Sequence, residues 1–227
     1  MAALIAETTG ASAERIRATC YACLLSSRSI TAMHSLDILT TRHSTPSRLL
    51  NAPAPDAAQL QALLEAAVRV PDHGQLVPFR LLLLRDAPRI AFGERIAEIH
   101  QRSDPAAPEK ALQKDRDRFN QAPLVIVVIA RLTAGHKVPE QEQLLSAGCV
   151  AYNILLGAHA LGFGAQWLTG WAAYDADVAT LLGLAVNEKA IGFVHIGTAQ
   201  ETAADRARPT LASICGEWNP AINPHAN

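Results

Sequence analysis

A single domain mixing helices with strands is what this sequence predicts, and three observations predict it. Leu60, Leu63, Leu64, Ala67 and Val68 recur at three- and four-residue intervals, the mark of one buried helix face. The short apolar runs at 79–84 and 123–130 suit strands buried on both faces, and the second, continuous and β-branched, belongs at the centre of a sheet. A chain of 227 residues, 49% hydrophobic and 18% charged, has enough for one well-buried domain and little for two.

Composition also narrows the function. With 20 basic and 21 acidic side chains the formal net charge is −1, so no global field draws the chain to nucleic acid. A small-molecule role fits better. No apolar run approaches the roughly 18 residues of a membrane span. Cys20 and Cys23 have C-x-x-C spacing, but zinc wants a second ligand pair and none follows, so no metal is expected. No cysteine pattern requires an oxidising compartment, and a cytoplasmic location is the expectation. Residues 1–33 show neither periodicity nor the order of a signal peptide and read as a poorly ordered N-terminal extension to a domain over 34–227.

Taken in order, the elements begin with Ser35, which can cap a helix carrying Leu36, Ile38 and Leu39. Arg42-His43-Ser44 falls at or just past its end. A guanidinium two residues from a hydroxyl suits a phosphate, while arginine at a helix C-terminus equally compensates the dipole. A proline-rich bend ends in Asp56, an N-cap for the helix through Val68. Pro71, Gly74 and Pro78 stop that helix and leave a loop that brings Arg69, Asp72 and His73 to one junction. There they can meet an anionic cofactor, or Asp72 can cap a turn and His73 remain solvated.

A helix over 88–100 follows the first strand, and 101–121 reads as a solvated surface segment lying over a site. The long helix from about Glu140 to Leu161 is apolar nearly all round between 144 and 158 and rich in small residues. It suits a domain centre or a subunit interface and suggests a dimer, with Cys149 a small buried hydrophobe. Gly162-Phe163-Gly164 ends it, and 165–170 forms a short strand feeding a turn. Asp175-Ala176-Asp177 opens a helix with Val178, Leu181 and Leu182 inward, and 190–198 is the last strand. The tail from Gln200, with Arg206, Arg208 and Trp218 but no core of its own, is expected to pack on a partner.

Several of these motifs recur together elsewhere. Arg42-His43-Ser44, Arg69-x-Pro71-Asp72-His73 with Pro78-Phe79, Lys137-Val138-Pro139, Ser146-Ala147-Gly148-Cys149, Gly162-Phe163-Gly164, Trp167, and Ile191-Gly192-Phe193 with Gly197-Thr198, in that order, resemble the FMN-dependent nitroreductase family. The resemblance runs from about Met33 to Arg208. It implies an α+β, nitroreductase-like (FMN-dependent) three-layer sandwich, with a mostly antiparallel central sheet flanked by helices, in an intertwined homodimer holding FMN between subunits. It further implies that Arg42, His43 and Ser44 hold the flavin phosphate, and that Arg69 and His73 reach the cofactor across the dimer. Trp167, Leu168 and Thr169 would touch the flavin, Gly157 to Gly162 would meet NADH or NADPH, and Arg208 would stand near a phosphate-binding position.

The implied activity passes hydride from NAD(P)H through FMN to nitroaromatics, quinones or similar acceptors in two strokes. Flavin N5 carries the hydride and no protein group need be catalytic, His73 being the candidate proton donor. Phe79, the partner and the 101–121 segment would line the acceptor cleft. A flavin-dependent oxidase of a metabolite and a non-catalytic flavin-binding subunit are the alternatives. His43 replaces the relatives' arginine, Phe79 their tryptophan and Leu168 a polar residue; FMN binding is expected to survive these changes, and redox potential and substrate choice to be affected.

Overall fold

A computed structural model describes residues 36–218. The expected extension over 1–33, its two cysteines and the cap Ser35 therefore lie outside the described residues, as do 219–227. Helix α1 covers 36–41 and runs directly into Arg42, whose amide still bonds to Ile38 O at 3.3 Å. After strand β1 (Leu50–Asn51) comes α2 (Ala57–Ala67). Asp56 caps it as expected: its carboxylate accepts from Gln59 N while Gln59 Oε1 accepts from Asp56 N, satisfying two amides that the first turn leaves without partners.

The sheet adds β2 (Phe79–Arg85), β3 (Leu124–Arg131), β4 (Gly164–Leu168) and β5 (Glu188–Ala199). Its order is β1-β5-β3-β2, with β4 also on β5, and every pairing is antiparallel. Strand β3 is buried over 124–130, and its alternate residues feed two separate cores. Leu124, Ile126, Val128 and Ala130 meet α2 and α5 (Glu140–Ala160), whereas Val125, Val127 and Ile129 meet α3 (Asp86–Ser103), Phe119 and α6 (Ala176–Leu181). A sheet with helices on both faces is the layered α+β arrangement that the family resemblance implies.

Three expectations change. Among the described residues strand β2 is an edge, pairing β3 alone, and only Phe79 and Leu84 of its apolar run are buried. An unbroken apolar run reads as buried on both faces, but among the described residues β3 is the one strand that pairs with it. The 101–121 segment is anchored rather than simply solvated. Its helix α4 (Glu109–Asn120) buries Leu112, Asp115 and Phe119, Phe119 meets Phe92 edge-on at 4.8 Å, and the Asp115 carboxylate joins His100 to Trp171 Nε1. Cys149 is exposed. The register of α5 turns Ala147, Val150, Ala151 and Ile154 inward, so Cys149 falls on the outer face with Leu145 and Tyr152, where 3.6-residue periodicity must put it.

Candidate functional site

Residues 42–48 run beside β4, pinned by Thr45 N to Ala165 O at 3.0 Å and by Ser47 N to Gln166 Oε1 at 2.7 Å. Gly164 makes this approach close, since a Cβ there would stand 2.6 Å from Leu50 and 3.0 Å from Thr45 Oγ1. On this rail Arg42, His43 and Ser44 line a cavity of about 190 Å³ together with Ala204, Asp205, Arg206 and Arg208. The fold thus joins Arg208 to the Arg-x-Ser motif across more than 160 residues of chain. It also adds Arg206, from the tail that was expected to pack on a partner.

Arg208 is held by Asp205 Oδ1 at 2.7 Å and Arg206 O at 2.6 Å. Three guanidiniums, one carboxylate and a hydroxyl line this cavity, a set of groups suited to a phosphate-sized anion. His43 Nδ1 bonds to Thr41 O at 3.0 Å, which turns its other nitrogen away from the backbone. Behind it His159, bonded through Nε2 to Thr41 Oγ1 at 3.0 Å, has its pKa lowered by burial first and then by His43 and Arg42. Its environment therefore favours the neutral ring.

Trp167 is set by its indole, which donates to Ile191 O at 3.2 Å. The ring lies across β5 at Gly192, where φ is +150° and a Cβ would stand 2.3 Å from Trp167 Nε1. A side chain at 192 would expel the ring. Leu168 and Thr169 are half-buried beside it.

Arg69 and His73 stand elsewhere. Arg69 is exposed, and His73 Nδ1 pairs with Glu142 Oε2 at 2.8 Å, at the start of α5. His159 is in the last turn of that helix, which at 1.5 Å per residue puts the two ends about 25 Å apart. One chain therefore does not bring Arg69 and His73 to the Arg42 cavity. Asp72 spends its carboxylate on the amides of Leu76 at 3.1 Å and Val77 at 2.8 Å, so it shapes the loop and is not free to act as a ligand.

Gly157 faces α2, its absent Cβ lying 3.3 Å from Leu63. Gly162 ends α5 at φ +82°, with bonds from Gly162 N to His159 O and Phe163 N to Ala158 O, a Schellman cap. Phe79, expected at the acceptor cleft, is 7% exposed and packs in the core. Among the described residues no cluster of ligating side chains could hold a metal, and no helix is long and apolar enough to cross a membrane.

Comparison with known proteins adds relatives to this geometry. The model of the nitroreductase family matches residues 39–198. Over 174 residues, 76% of this chain and 92% of the other, the sequence is 36% identical to the "Putative NAD(P)H nitroreductase YdjA" of Escherichia coli (strain K12). A "Putative NAD(P)H nitroreductase" of Haemophilus influenzae is 35% identical over 177 residues, 78% of this chain and 94% of that one. Among solved structures, a nitroreductase-like family protein from Bacillus cereus superposes with a TM-score of 0.70 at 21% identity, over 80% of this chain and 94% of that one. A "putative nitroreductase in complex with fmn" from Desulfovibrio desulfuricans does so at 0.64 and 22%, over 82% and 97%. At such identities the structural likeness speaks for the fold alone.

Proposed function

The chain belongs to the nitroreductase family, and on that premise we propose that it is an FMN-dependent NAD(P)H oxidoreductase reducing nitroaromatics, quinones or similar electron-poor acceptors. The observation that carries the cofactor assignment is the convergence of Arg42, Ser44, Arg206 and Arg208 on one anion-sized cavity. Those side chains fit the terminal phosphate of FMN, a dianion that bidentate guanidiniums and a short hydroxyl hold well. Bound FMN supplies hydride acceptance and delivery; the polypeptide supplies binding, orientation and electrostatics.

Trp167, fixed by its bond to Ile191 O, aligns the backbone of Leu168 and Thr169 along the ring end of the cofactor. Leucine at 168 offers no side-chain hydrogen bond, so its amide and carbonyl are what it presents. Arg69 and His73, at the far end of α5, reach this cofactor only from a second copy of the chain. The outer face of α5, with Leu145 61% and Tyr152 41% exposed, and a tail exposing Leu211, Ile214 and Trp218, are the apolar surfaces such a homodimer would cover. Glu142 holds the His73 ring in place, which suits a cofactor contact better than a proton donor that must reorient. Donor and acceptor would then take turns at one cleft, the two-stroke order.

Absorbance of the purified protein tests this. Flavin bands are expected, bleached by anaerobic NADPH or NADH and restored by a nitroaromatic. Arg42→Ala is expected to lose FMN on gel filtration. Protein that remains colourless after incubation with FMN refutes the cofactor assignment, and bound flavin that neither nicotinamide reduces refutes the reductase.

A further inference from the structure

A second cavity, of about 600 Å³, opens on the other part of the 42–48 rail and shares no residue with the Arg42 cavity. Arg48, Lys110, Lys114 and Arg118 line it, and Asp117 is its one acid among the described residues. None of these four cations has an ion pair or hydrogen bond among the described residues, whereas Arg80, Arg95, Arg102, Arg116 and Arg208 are all paired with carboxylates. Asp117 is already engaged by Gln113 Nε2 at 2.8 Å. In a chain of net charge −1, unpaired cations gathered on one concavity focus a positive field into it.

The position of Arg118 ties this cavity to the site described above. Arg118 is half-buried, and its guanidinium lies against the backbone of Gly170, where a Cβ would stand 2.7 Å from Nη1. Gly170 follows Thr169 directly, and Leu168 lines the same cavity. The cations of α4 therefore open beside the strand end assigned to the flavin. Four cations against one acid leave an excess that a singly charged ligand would not neutralise, and guanidinium with ammonium is phosphate chemistry.

We propose that this cavity binds a small molecule carrying two or more phosphate charges. The nicotinamide donor is one source of such phosphates and a separate phosphorylated metabolite another. Only the choice of the donor as ligand rests on the flavin reading; the phosphate site does not.

Calorimetric titration of the purified protein with pyrophosphate tests the site, comparing wild type with Arg118→Gln/Lys114→Gln. The expected result is binding that weakens with added salt, and a dissociation constant raised about tenfold or more in the variant. Lys110→Gln/Lys114→Gln, which alters only exposed side chains, should weaken binding in the same direction and guards against a folding defect in the first variant. Titration with NADP⁺ and NAD⁺ separates the sources. Competition between NADP⁺ and pyrophosphate identifies the donor's phosphates, and independent binding of the two identifies a different ligand. Absence of pyrophosphate binding, or equal affinity in wild type and both variants, overturns the proposal. A colourless protein would sink the flavin assignment while leaving this difference between variants readable.

Discussion

Replacing His195 by leucine is expected to flatten the acid limb of the stability curve. The imidazole is fully buried on β5, 5.8 Å from the Phe119 ring, and neither ring nitrogen has a partner among the described residues. Burial, then the charges of Arg118 and Arg89, push its pKa from 6.5 down to about 3. The folded protein thus holds this ring neutral while the unfolded chain protonates it below pH 6.5. Between those values the unfolded state binds the extra proton, so stability falls as pH falls. From pH 8 to pH 5 that single group removes about 2 kcal/mol. Leucine has similar volume, no proton to bind and no unpaired nitrogen, so the variant should be at least as stable at pH 8 and lack that loss at pH 5. Urea denaturation followed by circular dichroism at both pH values measures it. Equal pH dependence in the two proteins would show that His195 finds a partner or charges in place, and would refute the reasoning.

Other perturbations follow from the same packing. Arg80 grips Glu188 through Nε at 2.7 Å and Nη2 at 2.8 Å, and this hydrogen bonding is the main reason that the Glu188 pKa falls to about 2. Arg80→Gln should cost about 1–2 kcal/mol near neutrality by leaving the Glu188 carboxylate only the Ala185 amide as a close partner among the described residues. The pair's contribution is present above pH 4.5 and lost as pH falls towards 2, so denaturation at pH 3 should show a smaller penalty. Gly192→Ala should displace Trp167 and cost about 2 kcal/mol or more, read as a red shift in tryptophan emission and an earlier urea midpoint. Asp56→Ala removes the α2 cap and should cost about 1 kcal/mol, with the flavin spectrum unchanged.

The elements that could be read from sequence are those whose signal is local. β3 announces itself by an unbroken β-branched run, α2 by its spacing and cap, and the end of α5 by Gly162. What escaped depends on partners distant in the chain. α4 carries enough Lys, Arg and Asp to look solvated, and only the packed structure shows Leu112 and Phe119 turned into the core. Cys149 fell on the wrong side because an apolar helix rich in small residues gives no clear contrast between its faces. Of the side chains proposed to hold the phosphate, Arg42 and Ser44 stood together in one motif, and the family resemblance pointed at Arg208. Arg206 had only its two-residue spacing from Arg208 to suggest it, and no periodicity could bring the tail back to the first helix. The unpaired His195 was invisible, since a histidine in a strand looks the same with or without a hydrogen-bond partner.

The length of α5 has one more consequence. With the Arg42 side of the proposed cofactor site at one end of this helix and His73 at the other, a protein damaged at Arg42 and a protein damaged at Arg69 and His73 would each be inactive alone in the proposed homodimer. Unfolded together and refolded as a mixture, they would form hybrids in which one pocket inherits both lesions and the other inherits neither. Random pairing then returns about a quarter of the native sites. Two silent preparations would yield a yellow, working one.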